Sequence, residues 1–147
     1  MTIIIDANIL ISGIINPYGQ ITKLIYFKPP EIDFVIPEYA LEEIARYKLR
    51  ICKETKTTSL QFEQIFDALL VNILRFSTDS ISQSDIQAAE KLVLSIDAKD
   101  VWYVAFAISL DALLWTGDLK LYRGLRRKDF NQIIITKEME DIIKGLQ

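Results

Sequence analysis

The acids of this chain stand where a compact protein gains nothing from them unless they have partners. Asp6 ends the apolar run "TIII", and Asn8 follows two places on. A buried carboxylate is costly unless it is paired, hydrogen-bonded or holding a metal. Glu42 and Glu43 come early in an amphipathic stretch that follows a second apolar run. Asp97 and Asp100 open the stretch "DAKDVWYVAFAISL", and Asp118 follows "ALLWTG". Each has an ordinary reading on its own. Asp6, Asn8 and one of Asp97 and Asp100 suit helix caps, the glutamates suit a solvated helix face, and Asp118 suits a Gly-Asp turn. Periodicity does not choose between Glu42 and Glu43, because both lie off the apolar stripe. Taken together, the acids have a chemistry. Crowded carboxylates raise one another's pKa values, and a divalent cation holds them together ionised. Mg²⁺ or Mn²⁺ on such an all-oxygen set can activate water against a phosphodiester.

Composition narrows the alternatives. The 147 residues include no histidine, which removes Ser–His and Cys–His nucleophile pairs, histidine acid–base chemistry and the usual histidine-containing zinc sites. Carboxylates, lysines or hydroxyls must carry any catalysis. The single cysteine, Cys52, forms no disulfide within the chain and points to a reducing cytoplasm. The apolar start lacks a basic leader and is interrupted by Asp6 and Asn8, unlike a signal peptide. No stretch reaches the roughly 18 uncharged apolar residues of a spanning helix. The formal net charge of −3 excludes a broadly basic surface, though not a local basic groove.

The elements that must position these acids are short strands alternating with helices. Strands are expected at 2–6, 33–36, 72–76, 112–116 and 132–135. Helices are expected at 8–15, 20–27, 38–54, 59–71, 84–94 (with Ser84 as a cap), 97–110 and 137–145. Pro37 suits a first helical position, and the helix after it carries Leu41, Ile44, Ala45, Lys48 and Ile51 on one stripe. "GDLKLYRGL" reads as a turn and a short helical loop. Repeats and linkers are absent, so residues 1–147 are expected to form one domain, a three-layer α/β/α sandwich around a five-stranded, mainly parallel sheet. In such sheets ligands bind outside the carboxyl ends of the strands. Asp6 and Asp118 follow strands directly, Asp100 begins a helix, and Glu43 lies early in the helix after another strand. Acids from distant parts of the chain can thus converge at one edge.

Four segments in order, "IIIDANILISGI", "PEYALEEI", "DAKDVWYVAFAISL" and "LLWTGDLKLY", resemble the PIN domain family, above all the stand-alone VapC-like toxins and their cyanobacterial relatives. The resemblance spans position 3 to about 135. It implies a five-stranded parallel sheet and a ribonuclease dependent on Mg²⁺ or Mn²⁺, leaving 5′-phosphate and 3′-hydroxyl ends. It carries the catalytic, metal-holding acids onto Asp6, Glu43, Asp100 and Asp118, with Asn8 and Thr116 in support and Asp97 as an extra acid that either assists a second ion or only caps the helix. Glu43 is preferred over Glu42 because the family's glutamate directly precedes an aliphatic residue, here Ile44. It also implies a small antitoxin partner, and the apolar stretches "LISGII" and "ITKLIYF" offer faces for that partner or a second protomer.

Lys120, Arg123, Arg126, Arg127 and Lys128 follow Asp118 closely and suit RNA phosphates beside the acids. A further basic group is Lys48, Arg50, Lys53 and Lys56. Tyr18, Tyr26, Trp102 and Tyr103 read as packing residues. Two rivals remain at this level. A HAD-type phosphatase also has an aspartate after its first strand, but wants a second one where Asn8 stands and another acid where Tyr122 stands. A non-catalytic RNA- or protein-binding module would not need the full acidic set.

Overall fold

A computed structural model describes residues 1–147. Five strands, β1 (Thr2–Ile5), β2 (Asp33–Pro37), β3 (Ile73–Phe76), β4 (Leu113–Trp115) and β5 (Ile133–Ile134), form one sheet in the order β3-β2-β1-β4-β5. Every pairing is parallel. Eight helices connect and close it: α1 (Ala7–Ile15), α2 (Gln20–Tyr26), α3 (Glu38–Thr55), α4 (Ser59–Leu70), α5 (Gln83–Val93), α6 (Val101–Ser109), α7 (Leu119–Arg127) and α8 (Thr136–Leu146). The chain winds outward from β1 through β2 to β3, then returns to the other side of β1 for β4 and β5. α1 to α4 pack among themselves and α8 joins them through α2, whereas α5 packs on α6 and α7.

β1 is the central strand. Ile3 is in register with Phe34 and Leu113, Ile4 with Val35 and Leu114, and Ile5 with Trp115. Ile3, Ile4 and Ile5 are completely buried, which is why this strand is a continuous apolar run instead of an alternating one. They belong to a core of 37 buried residues in which the Phe34 and Trp115 rings lie 5.8 Å apart. Strand order reverses between β1 and β4, so a crevice opens beyond the carboxyl ends of these two strands.

Several local boundaries differ from expectation. Pro37 ends β2 in an extended conformation and stands one position outside α3. Ala45, expected on the apolar stripe of that helix, is exposed. Ser82, not Ser84, caps α5, accepting from the Asp85 amide at 3.2 Å. The expected helix at 97–110 starts as a 3₁₀ turn over Ala98–Asp100 before α6. The short helical loop expected after Asp118 is the regular nine-residue helix α7, "LKLYRGLRR". Asp118 caps it, and Leu121 and Leu125, one turn apart, bury its apolar side.

Candidate active site

Asp6 leaves β1 at the reversal point, where its amide donates to the Trp115 carbonyl at 3.0 Å. It is buried and does not cap α1 with its side chain, so the capping reading falls. Its Oδ2 accepts from Thr116 Oγ1 at 2.7 Å and from Asn8 Nδ2 at 3.2 Å. The Thr116 hydroxyl also accepts from the Asp118 amide at 3.0 Å. Asn8 Oδ1 accepts from the Gly117 amide at 2.9 Å, and a Cβ on Gly117 would crowd that oxygen at 3.3 Å. Thr116 and Asn8 therefore lock the end of β1 to the end of β4 and fix which Asp6 oxygen is free.

The 97–100 turn separates two roles that sequence left entangled. Asp97 caps it, its Oδ1 accepting from the Lys99 amide at 3.2 Å and its Oδ2 lying 3.5 Å from Lys99 Nζ. Asp100 makes no capping bond; it is buried, and its Oδ2 has no hydrogen-bond partner. On α3, Glu42 faces solvent and Glu43 is half-buried. Glu43 Oε2 accepts from the Tyr103 hydroxyl at 3.0 Å, and that hydroxyl accepts from the Ala7 amide at 3.3 Å. Tyr103 thus joins α6, α3 and the turn after Asp6. Sequence reasoning placed it among packing residues; the signal was its position one turn beyond Asp100 on the same helix side. Asp118 is partly buried and spends Oδ1 on capping α7 through the Leu121 amide at 3.1 Å.

Electrostatics record how closely the acids gather. Burial, and then the charges of Glu43 and Asp118, push Asp6 up to about 6 against the hydrogen bonds of Thr116 and Asn8. Burial, and then the charges of Asp6, Asp97 and Asp118, push Asp100 up to about 7, with Lys99 opposing. Burial, helped by Asp6 and Glu43, raises the Tyr103 phenol far above its ordinary value, so it remains a proton donor. No three acids close around a single point as the side chains stand. The donor set still fits a hard divalent cation: it is all oxygen, it includes an orphaned buried carboxylate oxygen, and burial and mutual repulsion raise the pKa values of its two buried acids, which a bound cation would offset.

The basic residues after Asp118 divide. Lys120, Arg123, Arg127 and Lys128 are exposed. Arg126 turns away, donating to the Ile133 carbonyl at 3.0 Å and to Glu138 Oε2 at 2.9 Å and lying over the Tyr122 ring. Its assignment to an RNA-facing row is corrected: it ties α7 to β5 and α8. In the other basic group Lys48 pairs with Glu63 and Arg50 with Glu54. Tyr18 and Phe27 are largely exposed beside Tyr26, so Tyr18 is not a packing residue. Cys52 is half-buried.

An all-parallel sheet with acids gathered at its reversal point defines a class that comparison makes specific. Residues 4–138 match the PIN domain family model, and the chain belongs to that family, which is not that of the HAD phosphatases. No curated protein matches the chain in sequence. Among solved structures it is similar in fold to a chain of VapBC-1 from nontypeable Haemophilus influenzae, at 17% identity and a TM-score of 0.68, covering 93% of this chain and 99% of that one. It is also similar to a chain of VapBC2 from Rickettsia felis, solved bound to a DNA fragment from their promoter, at 16% identity and a TM-score of 0.64, covering 92% and 97%. No helix is long and apolar enough to cross a membrane.

Proposed function

We propose that the chain is a metal-dependent endoribonuclease and the toxin of a toxin–antitoxin pair, acting in the cytoplasm with a small antitoxin as partner. The observation that carries the nuclease reading is Asp100: a buried carboxylate at the strand-end crevice with an oxygen bonded to nothing, beside a buried Asp6. Such a group is stable only if protonated or if a cation completes it. Asp6, Glu43, Asp100 and Asp118 would hold Mg²⁺ or Mn²⁺; Asp97 would reach a second ion only by giving up its contacts with Lys99. When bound, the metal activates water and offsets the charge of the attacked phosphodiester. The chain's own residues prepare the site: Thr116 and Asn8 fix Asp6, and Tyr103 occupies Glu43 Oε2 and leaves the other oxygen free. Family membership supports the chemistry, and the VapBC neighbours support the antitoxin. The test is cleavage of single-stranded RNA by wild type in Mn²⁺, in EDTA, and by Asp100→Asn. Cleavage in Mn²⁺ alone, lost in the folded variant, is the expected outcome. Undiminished cleavage by a folded Asp100→Asn protein refutes the assignment.

A further inference from the structure

A cleft of about 450 Å³ runs between α7 and the segment after α5. Lys120, Arg123 and Arg127 line it from α7, at the helical spacing that puts side chains in one row. Lys128 extends the row and is anchored, its Nζ donating to the Leu92 carbonyl at 2.7 Å and to Ser95 Oγ at 2.8 Å. None of these four cations forms an ion pair, and no carboxylate lines the cleft. The helix dipole explains only part of this. Positive charge is favoured at the end of α7, near Arg127 and Lys128, but disfavoured in its first turn, where Lys120 stands. In a chain of net charge −3, a row of exposed, unpaired cations along a whole helix is a local surface complementary to a polyanion.

The walls of the cleft lead to the acids. One wall, Ser95 and Ile96, continues directly into Asp97 and the turn that ends at Asp100. The other wall is α7, which begins at Asp118. Lys120 to Arg127 covers about 10 Å along the helix axis at 1.5 Å per residue. The spacing between the walls is fixed by Gly124, where a Cβ would fall 2.6 Å from Ile96 Cδ1. No aromatic ring lines the cleft, and Ile96 is its one hydrophobic residue, so it has no platform for stacking bases.

We infer that this cleft is a phosphate track. It holds the sugar–phosphate backbone of a single-stranded polynucleotide, without regard to base, and feeds the strand to the acids at its mouth. The direction of feeding rests on the nuclease reading; the binding does not. The test uses the full chain carrying Asp100→Asn in EDTA, so that binding is measured without cleavage. The probe is a labelled oligouridylate, and its affinity is followed across salt concentrations. Adding Arg123→Ala and Arg127→Ala should weaken binding about tenfold or more at low salt and reduce the log–log salt slope by about 1.4, at about 0.7 per single-strand phosphate contact. Adding Lys53→Ala and Lys56→Ala on the far helix, which removes the same charge, should change neither. An unchanged slope in the cleft variant, or an equal loss in the control, overturns the inference. Wild-type cleavage in Mn²⁺ is read separately. If wild type does not cleave while the slope falls as stated, the nuclease reading fails and the track stands. If Arg123→Ala and Arg127→Ala in the otherwise wild-type chain leave cleavage in Mn²⁺ with an unraised KM, the track fails and the nuclease reading stands.

Discussion

Replacing Tyr103 by Phe keeps the ring that meets Tyr39 edge-on at 6.2 Å and removes only the hydroxyl between Glu43 and Ala7. The lost bonds should cost about 1 kcal/mol of stability. A merely packed ring predicts nothing more. A phenol that holds Glu43 for a cation predicts, in addition, Mn²⁺ affinity several-fold weaker by titration calorimetry, and Mn²⁺ binding equal to wild type would reduce Tyr103 to a core residue. By the same geometry Glu43→Gln should impair cleavage more than Glu42→Gln, because Glu42 is exposed and has no tie to the other acids. The legibility of these residues in sequence follows the range of their contacts. Asp6 was readable because a carboxylate ending an apolar run is costly wherever it folds. Which of Asp97 and Asp100 caps and which stays bare depends on the 3₁₀ turn between them, and periodicity does not report such turns. The Tyr103–Glu43 bond spans 60 residues of chain and has no local pattern at all.

At the scale of elements, α7 shows what a short amphipathic helix hides in sequence. Its four basic residues and Lys128 just beyond it look like one patch when read along the chain, but the Arg126 side chain is spent on the Ile133 carbonyl and Glu138, outside the cleft that Lys120, Arg123 and Arg127 line. Arg126→Ala should therefore lower the urea midpoint, by about 1 kcal/mol in stability, by removing the bonds to the Ile133 carbonyl and Glu138. The loss is held near that size because the ion pair is a third exposed and Arg126 Nε is buried without a partner. Oligouridylate binding should hardly change. Weakened RNA binding with unaltered stability would restore Arg126 to the phosphate-facing row. The strands and long helices were legible because apolar runs and 3.6-residue stripes extend over enough residues to be seen. α7 was legible only as a turn and a short helical loop because its apolar side rests on two leucines, Leu121 and Leu125, and Gly124 within it serves close approach to Ile96 and does not break the helix.

For the whole molecule, the reversal of strand order at β1 gathers acids from four separate segments, and the fold bears their repulsion and burial. Alternation of strands and helices was enough to foresee the parallel sheet and the edge at which the acids gather; the distances at that edge were not legible, because they depend on side chains packed from both halves. The linkage with pH has a definite sign. Asp6 at about 6 and Asp100 at about 7 lie above their ordinary value of 3.8. Their contribution to stability is therefore fully present below about pH 4 and is lost as pH rises through 6 to 7. The metal-free protein should weaken across that window, and Asp100→Asn should weaken less. Bound metal reverses the trend, because cations compete with protons for the same oxygens. Thermal melts of wild type and Asp100→Asn from pH 4 to 8, in EDTA and in saturating Mn²⁺, test the central claim that these acids form a cation site. At pH 8 the variant should be at least as stable as wild type in EDTA. Wild type should gain about 2.7 kcal/mol at a hundredfold excess of Mn²⁺ over its dissociation constant, and the variant much less. Equal Mn²⁺ gains in the two proteins, or a variant less stable than wild type in EDTA at pH 8, would contradict it.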